Sequence, residues 1–205
     1  MGGKEHWEKV YDTKAPDAVS WYAPHLVESL AYVQRTGAPR SAAILDVGGG
    51  EATLVDDLLA SGYTDVTVLD LSEKALEVAR ARLGDRASQV RWIASDVLEH
   101  DFAPASVDVW HDRAVFHFLM GEDRRRAYVA QVLKALKPGG YCIVGAFGPQ
   151  GPESCSGLPV ARYDAVGLHG QFGQPFRLVE SNFSTHVTPW GSTQQFLYCF
   201  CRRVG

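Results

Sequence analysis

The chain has 205 residues, of which 46% are hydrophobic and 21% are charged, and its formal net charge is −4. This length is enough for one domain whose core is stable without disulfides or metals, so we predict a single domain over residues 1–205. The acidic balance argues against a surface built mainly for nucleic acid, which requires a basic face.

The four cysteines show no CxxC spacing, so we expect neither a zinc site nor any other metal site. No apolar run approaches the roughly 20 residues of a membrane span. The first ten residues also lack the apolar core of a secretory signal. These features predict reduced thiols, a cytoplasmic location and no contact with a membrane.

Short apolar runs alternate with helix-like stretches along most of the chain. Strands are predicted at 42–47, 65–72, 89–97, from 106 onward and at 141–147, with helices beginning at 51, 73 and 122. Strands separated by helices predict a parallel sheet with helices on both of its faces. Residues 1–40 precede the first strand and are expected to form a helical cap on a core that covers 41–205.

The last third of the chain breaks this alternation. The segment 148–161 carries three prolines and three glycines after the fifth strand, which is typical of a lid or binding loop. Residues 176–187 and 192–203 are strand-like and leave no room for a helix between them. The predicted fold class is therefore α/β, a Rossmann-like doubly wound sheet of about seven strands. The sheet is mostly parallel, and its last strand is antiparallel within a C-terminal hairpin.

The stretch ILDVGGGEATL, residues 44–54, places glycines between a strand and a helix. A nicotinamide or flavin dinucleotide is one candidate ligand, since Gly48 and Gly50 supply two glycines of GxGxxG, but the third position is Thr53. The carboxylate of Asp46, just before the glycines, repels a pyrophosphate and suits a ligand with ammonium and sulfonium groups. This comparison favours S-adenosylmethionine.

The same stretch resembles motif I of the class I S-adenosylmethionine-dependent methyltransferases, an acid followed by GxGxG, with Ala52 in the last place. Asp70 and Asp96 end the second and third predicted strands. The resemblance implies that Asp70 accepts hydrogen bonds from the ribose hydroxyls and that Asp96 holds the adenine amino group. The family also has the LKPGG segment found at 136–140 and a terminal hairpin, and its product is S-adenosylhomocysteine.

The resemblance implies a set of cofactor-binding residues at strand ends and in an aromatic amino-terminal helix. They are Trp7, Tyr11, Trp21, Asp46, Gly48, Gly49, Gly50, Asp70, Leu71, Asp96, Val97 and Asp112. Trp7 and Tyr11 are four residues apart on one helix face, and many small members of the family fold such a helix over the cofactor. Cation–π contact with the sulfonium and simple anchoring of the helix to the core are alternative roles.

Methyl transfer from a sulfonium is an in-line displacement, which needs alignment and a deprotonated nucleophile. His111 and His117 are the candidate bases, because they are the nearby groups that titrate around neutral pH. For His117, a core histidine is the alternative. Arg162, His186 and Trp190 are expected to bind the acceptor, although a helix start and a tight turn are the alternatives for these segments.

The segment VWHDRAVFHFL resembles the WDR segment of thiopurine S-methyltransferase-like enzymes, which methylate thiols and metalloid species, with His111 inserted between Trp110 and Asp112. The aromatic amino-terminal segment resembles that of small protein lysine methyltransferases. We predict a small-molecule acceptor, with a thiol preferred, because no additional substrate domain is present. The alternatives are a lysine methyltransferase, a nicotinamide-dependent reductase and a non-catalytic binding domain. The oligomeric state is left undetermined.

Overall fold

The structure, a computed structural model, describes residues 2–205. Its helices are α1 (Lys4–Thr13), α2 (Val27–Arg35), α3 (Leu54–Ala60), α4 (Glu73–Leu83), α5 (Glu122–Ala135) and α6 (Ala165–Phe172), with 3₁₀ turns at Gly84–Gln89 and Phe116–Phe118. Its strands are β1 (Ala43–Val47), β2 (Asp65–Asp70), β3 (Val90–Ala94), β4 (Val107–Arg113), β5 (Leu136–Phe147), β6 (Ser154–Cys155), β7 (Leu158–Pro159), β8 (Phe176–Val187) and β9 (Thr193–Arg203). None of the helices in this part of the chain is long and apolar enough to cross a membrane.

Seven strands form one sheet in the order β3-β2-β1-β4-β5-β9-β8. Strands β1 to β5 are parallel to one another, whereas β9 runs antiparallel to both β5 and β8. The predicted fold class, including its C-terminal hairpin, is confirmed. The strand order reverses between β1 and β4, and a crevice at the carboxyl ends of the strands is the usual ligand site of such a sheet.

Each strand sends alternate side chains to opposite faces of the sheet. On one face, Ile44 and Val109 pack with residues of α2, α3 and α4. On the other face, Leu45 and Trp110 pack with residues of α5 and α6. The same alternation places His111 on the same face of the sheet as Val109. His111 therefore reaches the site described below from this face of β4.

The segment after β5 differs from the expected irregular loop. It contains the short antiparallel pair β6 and β7, and α6 follows it where the sequence indicated a helix start only as an alternative. The side chain of Asp164 accepts a hydrogen bond from the Gly167 amide at 2.7 Å and caps this helix. Gly167 and Gly170 lie within α6 and weaken its intrinsic propensity, which explains why the periodicity did not predict it.

A buried chain of hydrogen bonds ties β4 to α5. The indole Nε1 of Trp110 donates to the Tyr128 hydroxyl at 2.9 Å, and this hydroxyl donates to the carboxylate of Asp112. All three residues have no measurable exposure. Removing the middle hydroxyl would therefore leave the buried Trp110 N–H without a partner and take one of several donors from the Asp112 carboxylate.

We expect Tyr128→Phe to lower the free energy of unfolding by about 1–3 kcal/mol, because unpaired buried polar groups carry their full desolvation cost. Urea denaturation at neutral pH measures the change. Tyr141→Phe is the matched control, since the Tyr141 ring stacks on Phe200 at 5.2 Å and its hydroxyl has no hydrogen bond within residues 2–205. The control should change stability by less than about 0.5 kcal/mol. Equal losses for the two variants would contradict this assignment.

Candidate active site

A crevice opens at the carboxyl ends of the central strands, and the amino-terminal segment covers it. Nine of the predicted cofactor residues line it: Trp7, Tyr11, Trp21, Asp46, Gly48, Gly49, Asp70, Leu71 and Val97. The wall also includes residues that were not selected as site residues from the sequence, among them Val115, Phe118 and Cys155, and it includes Arg113. The segment 148–161 thus contributes to the crevice through Cys155.

The glycine turn after β1 forms the floor of the crevice. Gly48 has φ +66°, and a Cβ atom there would lie 2.0 Å from Cγ2 of Val115. At Gly49, a Cβ would lie 2.6 Å from Oδ2 of Asp46. Neither position accepts a side chain without movement of its neighbours, so the ligand faces bare backbone here.

Asp46 and His111 form a buried pair across neighbouring strands. The register of β1 and β4 sets the two residues side by side, and Nδ1 of His111 lies 2.7 Å from Oδ1 of Asp46. Because an ionised carboxylate only accepts, Nδ1 carries the proton and donates it. The other ring nitrogen, Nε2, has no hydrogen-bond partner among residues 2–205. Nε2 is itself buried, and His111 is one of the residues that line the crevice.

Two further carboxylates lie close to the glycine turn. Burial raises the pKa of Asp70 to about 7, and the charge of Asp46 adds to the effect, although the Ser72 amide donates to its Oδ1 at 2.8 Å. Burial likewise raises the pKa of Glu51 to about 7, with Arg82 opposing the shift. Both carboxylate oxygens of Glu51 are buried without a partner in the described chain. Glu51 follows the three glycines directly in the sequence, but it was not among the predicted site residues.

Three aromatic residues of the amino-terminal segment, Trp7, Tyr11 and Trp21, form what we call the aromatic cap. The ring of Trp7 lies 6.1 Å from that of Tyr11 and 6.3 Å from that of Trp21. Trp7 also meets Phe118 edge to face at 5.2 Å. The cap is held to α4, since the Glu73 amide donates to Glu8 at 2.9 Å. The cap therefore encloses one side of the crevice.

Three predicted cofactor residues do not line this crevice. Gly50 lies behind the turn, where a Cβ would be 2.9 Å from Oδ2 of Asp70. Asp96 lines an adjoining cleft that shares Leu71 with the crevice. Asp112 was predicted to bind the cofactor, but its side chain lies on the opposite face of β4. There it accepts hydrogen bonds from the Val115 amide at 2.9 Å and from the Tyr128 hydroxyl. Burial raises the pKa of Asp112 to about 6.

His117 is not brought to the crevice. Its ring lies 4.5 Å from the rings of both Phe118 and Phe147, and neither ring nitrogen has a partner in residues 2–205. Burial lowers the pKa of His117 to about 3, with the charge of Arg113 adding to the shift. A neutral, enclosed imidazole does not fit the expected role of a base, and the alternative of a core histidine describes its position.

The three predicted acceptor residues also lie outside the crevice. Arg162 donates to the Pro149 carbonyl at 3.1 Å and pairs with Glu153 at 2.8 Å, so it holds the segment 148–161 together. Trp190 is 61% exposed in the hairpin turn. His186 donates from Nε2 to the Ser20 carbonyl at 2.8 Å and lines a separate groove beside the hairpin.

The crevice fits the groups of S-adenosylmethionine. Acids around the turn suit its ammonium and hydroxyl groups, and the absence of Cβ atoms at Gly48 and Gly49 leaves space for it against the backbone. No group of three or more His, Cys, Asp or Glu residues within 2–205 is arranged to hold a metal ion.

Comparison with known proteins agrees with this site. Residues 44–140 match a family described as a methyltransferase domain. The eEF1A lysine and N-terminal methyltransferase of Bos taurus is 25% identical over 151 residues, which cover 70% of this chain and 21% of that protein. The chain thus spans about a fifth of the length of this relative.

Two solved structures share the fold over nearly the whole chain. One, whose subject is the conversion of a disulfide bond into a thioacetal group during echinomycin biosynthesis, has a TM-score of 0.78 at 24% identity and covers 98% of this chain and 92% of that chain. The other, 1,6-didemethyltoxoflavin-N1-methyltransferase of Burkholderia thailandensis with bound S-adenosylhomocysteine, has a TM-score of 0.67 at 21% identity and covers 98% and 84%. The match to a methyltransferase domain, the acid and glycines of the β1 turn, and the acids that end β2 and follow β3 together support a class I S-adenosylmethionine-dependent methyltransferase.

Proposed function

We propose that this enzyme methylates a small-molecule nucleophile, and that the acceptor is a thiol or a similarly soft nucleophile. The observation that carries the proposal is the buried Asp46–His111 pair, because His111 lines the crevice beside the aromatic cap and its Nε2 has no hydrogen-bond partner among residues 2–205. The pair places one proton acceptor in a small, largely apolar space.

In the cofactor half of the crevice, the chain's own residues supply the binding groups. Asp70 would accept from the ribose hydroxyls, Leu71 and Val97 would contact the adenosine, and Asp96 in the adjoining cleft would hold the adenine amino group. Glu51 and Asp46 make this end electronegative. When bound, S-adenosylmethionine supplies the electrophilic methyl group and its own leaving group.

In the acceptor half, the walls are the side chains of Trp7, Trp21, Phe118 and Cys155. Small-ligand sites usually combine such apolar walls with a few polar groups. A free thiol has a pKa near 8.5, so it needs only modest help to ionise near neutral pH. The thiol proton would pass to Nε2 of His111, and Asp46 would stabilise the resulting imidazolium. The thiolate is then ready for in-line attack.

The solved structures support a small acceptor, since one concerns sulfur chemistry and the other was solved with 1,6-didemethyltoxoflavin, and each aligns with 98% of this chain. The second candidate is a protein lysine acceptor, favoured by the eEF1A methyltransferase relative, which aligns with 70% of the chain. Incubation with thiols, amines, phenols and lysine peptides, with S-adenosylhomocysteine formation as the readout, separates the two. Methylation of lysine peptides alone would reject the small-molecule proposal.

His111→Ala should reduce turnover of the identified acceptor on the order of 10²-fold or more, the usual contribution of a general base. Calorimetry should show S-adenosylhomocysteine binding within about threefold of wild type, because Nε2 acts on the acceptor. His117→Leu is the matched control. Since its imidazole nitrogens are buried and unpaired, an apolar replacement should leave turnover unchanged and stability unchanged or higher. Full turnover by His111→Ala would remove the base assignment.

Cofactor affinity should rise with pH between about 5.5 and 7.5, by up to about tenfold per pH unit. The pKa of Asp70 in the free protein is about 7, and hydroxyl donors favour the ionised carboxylate, so ligand binding expels a proton below that pH. Titration calorimetry across this range measures the slope. Asp70→Asn should flatten it, whereas Asp101→Asn, an exposed acid that pairs with Lys134, should not.

The raised pKa also has a stability consequence for the free protein. The contribution of a protonated Asp70 to folding is fully present below the unfolded value near 4. It is lost as the pH rises through about 7. The unfolding free energy of wild type relative to Asp70→Asn should therefore fall over that window, and a rise would contradict the assigned shift.

The aromatic cap should become more protected when the cofactor binds, because the ligand fills the space that its rings enclose. Hydrogen exchange over residues 4–25 should slow in the presence of S-adenosylhomocysteine. Strand β8, at the far edge of the sheet, serves as the internal control and should not change. Unchanged exchange in the cap alongside confirmed binding would reduce Trp7, Tyr11 and Trp21 to packing of a terminal helix.

A further inference from the structure

Arg113, the last residue of β4, has a fixed position and no counter-ion. Its guanidinium lies 4.4 Å above the ring of Phe196, and Nη1 donates to the Trp21 carbonyl at 3.2 Å. No carboxylate within residues 2–205 forms an ion pair with it. The side chain is half-buried, and a partly desolvated cation is costly unless an anion or a set of acceptors pairs with it.

The donors of this guanidinium are largely unused. Arginine has five N–H groups in one plane, and the Cζ atom of Arg113 lies over the ring of Phe196. One N–H reaches the Trp21 carbonyl. The remaining edge matches the two oxygens of a carboxylate, which arginine binds through two parallel hydrogen bonds.

Arg113 lines two spaces at once. One is the crevice with His111, and the other is the hairpin groove, which we define by Val27, Ser29, Ser184, His186 and Phe196. Arg113 and Leu26 line both spaces, so the guanidinium lies at their common boundary. The groove contains one acid, Glu28, which is exposed and forms no ion pair with Arg113.

The titratable groups whose pKa is affected by the charge of Arg113 are not anions that could neutralise it. Its positive charge contributes to the lowered pKa of His117 and of His186, in both cases after burial as the larger cause. Burial raises the pKa of the Cys155 thiol, and the charge of Arg113 opposes part of this rise. The site therefore has a positive charge at the end of β4 that forms no ion pair with a carboxylate among residues 2–205.

We propose that Arg113 binds a carboxylate of the acceptor, so that the preferred acceptor is a small thiol acid. The inference rests on the proposed function for the thiol part only. A carboxylate also occurs on the amino-acid end of the cofactor, which is the second source of the same chemistry. The position of Arg113 at the boundary with the hairpin groove favours the acceptor, because the groove lies outside the crevice that holds the cofactor.

The test compares 3-mercaptopropionate with its methyl ester, which differ in the carboxylate. Binding of each to the protein loaded with S-adenosylhomocysteine is measured by calorimetry for wild type, Arg113→Met, Arg113→Lys and Arg177→Met. Arg177 is exposed on β8 and provides the matched control. The same calorimeter gives the affinity of each protein for S-adenosylhomocysteine alone.

We expect wild type and Arg177→Met to bind the acid about tenfold more tightly than the ester, or better. Arg113→Met should lose this preference and Arg113→Lys should keep part of it, while the affinity for S-adenosylhomocysteine changes by less than about threefold. Equal binding of acid and ester by wild type overturns the proposal, and this comparison requires no variant to fold.

If Arg113 instead binds the carboxylate of the cofactor, the variants should show a different pattern of affinities. If Arg113→Met weakens S-adenosylhomocysteine about tenfold and leaves the acid-to-ester ratio intact, the arginine binds the cofactor's carboxylate and the acceptor assignment fails. If no thiol is turned over but wild type still prefers acids in an Arg113-dependent way, the carboxylate inference holds and the thiol acceptor fails.

Discussion

The site depends on a turn that has no room for side chains. Around Gly48 and Gly49, the space that a Cβ would need is already taken by Val115, by Val68 and by the carboxylate of Asp46. These neighbours come from the segment after β4, from β2 and from β1. The glycines therefore let three parts of the sheet edge converge, and the ligand crevice is the opening that remains above them.

The same convergence brings a histidine to the crevice of a fold whose methyl-transfer chemistry does not require strong acid–base catalysis. Once β1 and β4 are adjacent and parallel, their register sets Asp46 beside His111. The Asp46 carboxylate lies 2.7 Å from Nδ1 of His111, and this hydrogen bond fixes the tautomer and the orientation of the ring. Asp46 thus has a role beyond the cofactor contact that the resemblance implies, because one of its oxygens is committed to the histidine.

The sequence was sufficient for the parts of the fold that depend on local patterns. Strand and helix periodicity predicted β1 to β5 and the intervening helices, and the missing helix before β9 predicted the hairpin. The Asp46–His111 pair was beyond such reasoning, because it joins residues 65 positions apart and depends on which strands become neighbours. The same holds for the contact of Trp7 with Phe118, which requires the amino-terminal segment to cross the crevice.

The alternation of side chains along β4 could have been read from the sequence, and it separates His111 and Arg113 from Asp112. Successive residues of a strand face opposite sides, so His111 and Asp112 cannot both face the crevice, whereas His111 and Arg113 can. Applied to β4, this rule assigns Asp112 to the face of Trp110 and Arg113 to the site. The structure has that arrangement, with Asp112 hydrogen-bonded to Tyr128 in the core.

The resulting charge distribution bears on the choice of acceptor. The acids Asp46, Glu51 and Asp70 gather around the glycine turn, where the ammonium and ribose of the cofactor would use them. Arg113 carries a charge without an ion-pair partner at the end of β4, next to Trp21 and Cys155 in the wall of the crevice. A lysine ammonium approaching from this side would meet a like charge in a space of reduced dielectric, whereas an anionic thiol would meet its counter-ion. Under the proposed function, repulsion as well as attraction would therefore favour a small acid over a lysine side chain.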